Sequence, residues 1–272
     1  MTPPVTTVVI TGVGLIGGSF ALALRKAGFT GRMIGVSSPA TVEKALAAGV
    51  IDEALPLAEA AAQADVIYLA QPIQQILETL GALDRYARPG ALITDAGSTK
   101  AMICSHAAAN IRKASFVGGH PMAGKESRGV EAADAELFRG RPYVLTAREP
   151  ELEKWIEAIG ARLVILDPTE HDRLVALVSH LPQLLSTALA SVIAEQPGSE
   201  KVAGPAASDL TRLALSPYEI WRDIFATNAP SIDAVLGTYI ARLETLRVQL
   251  RSPEMERVFE KAASSARELR KG

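Results

Sequence analysis

The sequence predicts an α/β protein in which a Rossmann-type doubly wound sheet is followed by an all-α C-terminal domain. Three observations predict it. A glycine triplet, Gly12, Gly14 and Gly17, stands between a β-branched run and an apolar helical stretch. Strand-like runs then alternate with Ala/Leu-rich stretches as far as residue 166, the pattern of a mostly parallel sheet covered by helices. From Asp167 onward the strand signals stop, and apolar residues recur at helical spacing. The expected division is therefore 1–166 and 167–272.

The first strand is expected over 6–11, where Val8, Val9 and Ile10 are flanked by threonines. It runs straight into the glycines. Gly12 permits a tight turn, Gly14 lets the backbone approach phosphates, and Gly17 lets the next helix sit close on the strand. The first N–H groups of that helix, around Leu15 and Ile16, then face an anion. A bare G-x-G-x-x-G is weak, but framed by strand and helix it points to a dinucleotide pyrophosphate rather than an ordinary βα turn. Residues 2–24 carry no charge, yet no Lys or Arg precedes them, glycines interrupt them and Arg25-Lys26 follow. Neither a signal peptide nor a membrane anchor is expected there, and no later segment is expected to fit one better.

Further strands are expected over 33–36, 66–70, 91–95, 115–118, 143–146 and 163–166, with helices over 39–48, 57–63, 73–86 and 100–112. Ligands on such sheets bind beyond the carboxyl ends of strands, so the loops there hold the candidate residues. After Val36 come Ser37 and Ser38, with Thr41 and Lys44 nearby. The acidic residue that usually meets a ribose 2′-hydroxyl is missing, an arrangement that tolerates a 2′-phosphate. Gln71-Pro72 follows the next strand, either at the cofactor or as a plain turn. Ser98 and Thr99 come after the 91–95 strand and could meet a ligand or cap a helix. His120 lies in Gly118-Gly119-His120-Pro121-Met122-Ala123-Gly124. An imidazole on this edge can accept a hydroxyl proton while hydride leaves the same carbon. The bland alternative is a turn histidine bonded to backbone.

In the second part, Asp167-Pro168-Thr169-Glu170 reads as an N-cap, a first-position proline and a capping-box glutamate. A deeply buried helix is expected to follow, from Leu174 to Val192. Further starts fall at Ser216-Pro217 and Ser252-Pro253, and Ile232, Val235, Leu236, Tyr239, Leu243, Leu246 and Leu250 form a stripe. Such apolar helix surface predicts a homodimer, with a self-contained bundle as the alternative. His180, before a helix-breaking proline, is either a core histidine or a ligand contact. Arg212 could hold a carboxylate with its fork or pair with Asp209 or Glu219. Trp221 walls a pocket or sits in the core. His106 and His171 are expected on surface helix faces, without a role.

The chain has 272 residues, a net charge of −2, 48% hydrophobic residues and one cysteine, which suits about two domains with ample core. With only Cys104 there is no intrachain disulfide, so a cytoplasmic setting is expected. The near-balanced charge makes no case for nucleic acid, and no metal site is expected.

Together these motifs resemble the prephenate/arogenate dehydrogenase family. The resemblance runs in order through Gly12-Val13-Gly14-Leu15-Ile16-Gly17-Gly18-Ser19, Asp95-Ala96-Gly97-Ser98-Thr99-Lys100, the His120 segment, Ser179-His180-Leu181-Pro182, Asp209-Leu210-Thr211-Arg212 and Trp221-Arg222-Asp223. It implies NAD- or NADP-dependent oxidative decarboxylation of prephenate or arogenate. His120 would take the ring C4 hydroxyl proton, with Ser98 beside it. Arg212 would bind the ring carboxylate, and His180 would shape the pocket. Residues 1–166 would be the cofactor domain, and 167–272 the substrate-binding and dimerisation domain without an appended regulatory or mutase domain. Gln183 stands where many prephenate-using relatives have histidine, and Glu126 could pair with the ammonium of arogenate, so arogenate with NADP is slightly favoured. A β-hydroxyacid-type dehydrogenase would need a catalytic lysine in the helical part, where Lys201 is the candidate. A non-enzymatic nucleotide sensor would need neither His120 nor Arg212.

Overall fold

Val8-Val9-Ile10 forms a strand because both of its faces are covered, so an unbroken apolar run replaces alternation. The computed structural model describes residues 4–270; positions 1–3 and 271–272, at the outer ends of the two expected units, lie outside the described residues. Strand β1 (Thr7–Thr11) is buried throughout and pairs in parallel with β2 (Arg32–Val36) and β4 (Val66–Leu69). With β3 (Glu53–Ala54), β5 (Leu92–Asp95) and β6 (Ser115–Val117) these make a six-stranded parallel sheet, ordered β3-β2-β1-β4-β5-β6. Chain order reverses between β1 and β4, which opens a crevice at their carboxyl ends. Helices α1 (Leu15–Lys26), α2 (Pro39–Ala47), α3 (Leu57–Gln63), α4 (Ile73–Leu83) and α5 (Ala101–Asn110) link the strands. Alternate strand residues feed two cores. Val8, Ile10 and Tyr68 join Phe20 and Trp155 on one face, whereas Val9, Ile67 and Leu69 on the other meet Ala176, Ile224 and Ile232 of the helical part.

The strands expected over 143–146 and 163–166 do not extend this sheet. They are β8 (Pro142–Leu145) and β9 (Arg162–Ile165) of a separate three-stranded sheet, joined by α6 (Pro150–Ala158). Its third member, β7 (Gly119–Pro121), pairs antiparallel with β8 and was not anticipated as a strand of its own. The chain changes sheets at Gly118, where a Cβ would lie 2.8 Å from Cys104 Sγ and 3.0 Å from Thr146 Oγ1. Only a glycine fits that crossing without displacing its neighbours.

Helix α7 (Pro168–Val175) starts as expected, with the Asp167 carboxylate accepting from the N–H groups of Thr169 and Glu170. The continuous, deeply buried helix does not occur. A π turn over Ala176–His180 interrupts it before α8 (Leu181–Ala194), because Pro182 has no N–H to continue the ladder. Leu177 and Val178 remain 50% and 58% exposed. By length and composition Pro168–Ala194 is apolar enough to cross a membrane, contrary to the sequence expectation. Here it is cut by the π turn and carries buried His171, Asp172 and His180, which bond to other protein groups. After α9 (Pro205–Thr211), α10 (Tyr218–Gln249) and α11 (Glu254–Leu269) begin at the expected prolines. Helix α10 kinks at Asn228, two residues before Pro230.

Candidate active site

At the carboxyl ends of β1, β2 and β4 lies a groove of about 510 Å³ lined by Gly12, Gly14, Ser37, Ser38, Thr41, Gln71 and Pro72. It adjoins a second cavity of about 310 Å³, walled by Ile16, Gln71, Pro72, Ser98 and the α10 residues Glu219 and Asp223. The residues fit a dinucleotide. Gly12 has a φ of +91°, and a Cβ on Gly17 would stand 2.1 Å from the Gly12 carbonyl oxygen, so the turn closes only with glycines. A Cβ at Gly14 meets nothing within 4 Å, and the start of α1 has no side-chain cap. Its free amides at Leu15 and Ile16 are the anion-facing groups expected of such a turn. Leu15 itself lines neither cavity. Lys44, expected near a 2′-phosphate, is instead ion-paired with Glu131. Ser38 caps α2 and its hydroxyl lies 2.9 Å from that of Thr41.

Ser98 follows β5 and does not cap α5. That duty falls to Asp172, whose Oδ1 accepts from Lys100 N at 2.7 Å and Oδ2 from Ala101 N at 2.9 Å. Ser98 instead lines the second cavity, whereas Thr99 is tied to Thr227 of α10 at 2.8 Å. The loop is anchored by a fully buried ion pair between Lys100 and Asp95. Lys100 Nζ also donates to the Gly119 carbonyl at 2.7 Å, and Asp95 Oδ1 accepts from Gly119 N at 3.1 Å. These bonds hold the neighbour of His120 against the Ser98 loop. His120 is buried on β7, and its Nδ1 lies 2.8 Å from His171 Nε2. His171 Nδ1 in turn lies 2.7 Å from Asp172 Oδ1. Burial above all, then His171, Lys100 and His180, holds the His120 pKa well below the usual histidine value.

The expectation of a surface His171 is overturned: it is fully buried. It sits on the inner face of α7, next to Asp172, which caps the start of α5. His171 and Asp172 stand four residues before the apolar Val175 and Ala176, on the same helix face, and that spacing was the available signal. His106 is half-buried rather than on the surface, and its Nε2 has no partner. Arg128 was also missed. It is the one cation among the residues lining either cavity and has no ion pair among the described residues.

His180 lies in the π turn, with Trp221 edge-on at 6.0 Å and Asn228 Nδ2 at 3.4 Å from its Nδ1. Burial pushes its pKa down to about 4. Trp221 also donates to Ser216 Oγ at 2.8 Å and contacts Phe225, so it is a wall of this cluster. Gln183 is engaged, donating to the Leu213 carbonyl at 2.8 Å, which fixes the turn that carries Arg212. Arg212 pairs with neither Asp209 nor Glu219. Its partner is Glu126, at 3.6 Å, with both side chains mostly exposed. Neither His120 nor Arg212 lines the two cavities. Lys201 sits in an exposed turn and lines neither cavity.

Fold and cleft define an oxidoreductase built on a nucleotide-binding domain, and comparison with known proteins gives the family. Residues 20–167 match the model for the prephenate dehydrogenase nucleotide-binding domain, and 167–263 match the prephenate dehydrogenase dimerization domain. Prephenate dehydrogenase of Lactococcus lactis is 34% identical, covering 97% of this chain and 78% of that protein. The crystal structure of A. aeolicus prephenate dehydrogenase in complex with hydroxyphenyl propionate and NAD+ is similar at TM-score 0.90 and 28% identity, covering 99% of this chain and 100% of that one. Synechocystis arogenate dehydrogenase is similar at TM-score 0.84 and 31% identity, over 97% and 100% of the two chains. The chain belongs to the prephenate dehydrogenase family and is a dehydrogenase.

Proposed function

We propose that the chain carries out NAD- or NADP-dependent oxidative decarboxylation of arogenate or prephenate in tyrosine biosynthesis. The main support is a buried His120, its pKa lowered, locked beside a Ser98 loop that walls the cleft. A bound nicotinamide dinucleotide supplies the acceptor for the hydride leaving ring C4; the NAD+ complex of the A. aeolicus relative supports that cofactor. His120 accepts the C4 hydroxyl proton, since a neutral imidazole near pH 7 is a competent base. Ser98 hydrogen-bonds the same hydroxyl. Arg212 binds the ring carboxylate, whose loss as carbon dioxide leaves an aromatic ring and drives the reaction forward. His180 and Trp221 wall the site, while Gln183 acts through the Arg212 turn. Arg128, in the lining of the second cavity, meets the negative charge of the dinucleotide.

Residues up to 166 would hold the cofactor, and those from 167 would supply substrate contacts and a homodimer surface. The dimerization-domain match supports the latter. The setting is the cytoplasm. Arogenate is placed ahead of prephenate because the paired Glu126 and Arg212 suit a ligand bearing both ammonium and carboxylate groups. NADP is placed ahead of NAD because no carboxylate follows β2, leaving Ser37 and Thr41 to meet a 2′-phosphate. Turnover of both substrates with both cofactors tests the reading. Absence of turnover in all four combinations overturns it, and a preference above about tenfold for prephenate or for NAD, about 1.4 kcal/mol, overturns that half.

A further inference from the structure

We propose that Asp172 and His171 are positioning residues that fix the tautomer of His120 and leave its Nε2 as the basic ring nitrogen. The inference rests on His120 being the base of the reaction above. Asp172 is buried, and both of its oxygens accept first-turn N–H groups of α5, where a helix favours negative charge. A carboxylate can only accept, so the N–H in the 2.7 Å contact belongs to His171 Nδ1. A neutral His171 then has its lone pair at Nε2, 2.8 Å from His120 Nδ1. Two lone pairs cannot face each other at that distance. The hydrogen between the rings is therefore on His120 Nδ1, and the His120 lone pair is at Nε2.

The surroundings agree with this arrangement. No described residue bonds His120 Nε2, and it is not among the sealed, unpartnered polar atoms. Asn228 Nδ2 donates to the Asp172 carbonyl at 2.8 Å, which holds the carboxylate's own backbone in place. The other ionisable groups around the ring are Lys100, paired with Asp95, and His180. A proton added between the two histidines would be one more positive charge beside the buried Lys100 ammonium. The relay thus runs from Asp172, mid-way along α7 and anchored on the start of α5, through His171 to His120 on β7.

In Asp172→Asn the amide can present N–H to His171 Nδ1. His171 would then carry its proton at Nε2, donate to His120 Nδ1 and drive the His120 proton onto Nε2. Inverting a catalytic imidazole in this way costs about 10²- to 10⁴-fold in kcat. The expected result for Asp172→Asn is a loss in that range with dinucleotide affinity unchanged by titration. His171→Phe should lose a similar factor, whereas His171→Gln, whose amide can donate to Asp172 and accept from His120, should stay within about tenfold of the parent. Nitrogen NMR of isotope-labelled imidazoles in the unmodified enzyme, which needs no substrate, should show His120 protonated at Nδ1 and bare at Nε2. A proton on Nε2 of His120 in the parent overturns the proposal, as does Asp172→Asn or His171→Phe turnover within about threefold of it. If His120→Asn itself retains turnover, the base assignment fails instead.

Discussion

At the scale of single residues, His120→Asn should keep dinucleotide affinity and lose about 10²-fold or more in turnover, because an amide hydrogen-bonds but takes no proton. Parallel calorimetry and initial rates check both halves. Arg212→Ala should raise the substrate KM about tenfold or more without altering nucleotide binding. The modest figure reflects its 60% exposure, which screens the charge. Ser98 and His120 were legible in the sequence as candidates because the positions just beyond the carboxyl ends of strands follow from topology. The partners of those residues were not. His171 and Asp172 lie 51 and 52 positions beyond His120, and only folding α7 onto α5 brings them to the site. Nor were the partners of Glu126 and Lys44 legible, each of which meets a countercharge from a distant segment, Arg212 and Glu131.

At the scale of elements, the β1–α1 turn separates two effects of glycine. Gly17→Ala places a Cβ 2.1 Å from the Gly12 carbonyl and 2.8 Å from Ile10 Cγ2, so it should lower both the melting temperature and nucleotide affinity. Gly14→Ala has open space around its Cβ, so it should melt like the parent while binding nucleotide more weakly, since the methyl group stands where the phosphates approach. Thermal melts with a nucleotide titration distinguish the two. Most strands were legible because buried parallel strands are short and apolar. Two were not: β3 is Glu53–Ala54, too short for a pattern, and β7 is Gly119-His120-Pro121, whose residues signal a turn. The π turn was half legible, since Pro182 marks a break in the ladder without saying how the chain absorbs it.

At the scale of the whole molecule, acid should destabilise the fold. His180 has its pKa lowered to about 4 and His120 is also lowered, so the unfolded chain binds more protons than the folded one below about 6.5. Stability is full above 6.5 and falls as pH drops toward 4, with His180 alone contributing of order 3 kcal/mol. Denaturant melts across that range check it, and a flat profile counts against the burial of both rings. The exposed Leu177, Val178, Ile240, Leu243 and Val248 predict a dimer by light scattering; a monomer at micromolar concentration would mean these faces stay in water. The buried Lys100–Asp95 pair has one further consequence. Removing either partner strands a charge beside both sheets, a loss of about 3–5 kcal/mol, while removing both is far less damaging. Each position is therefore the other's suppressor, and a lineage that loses one charge can cross back to stability only by giving up its mate, which ties the histories of two sites that flank the Ser98 loop.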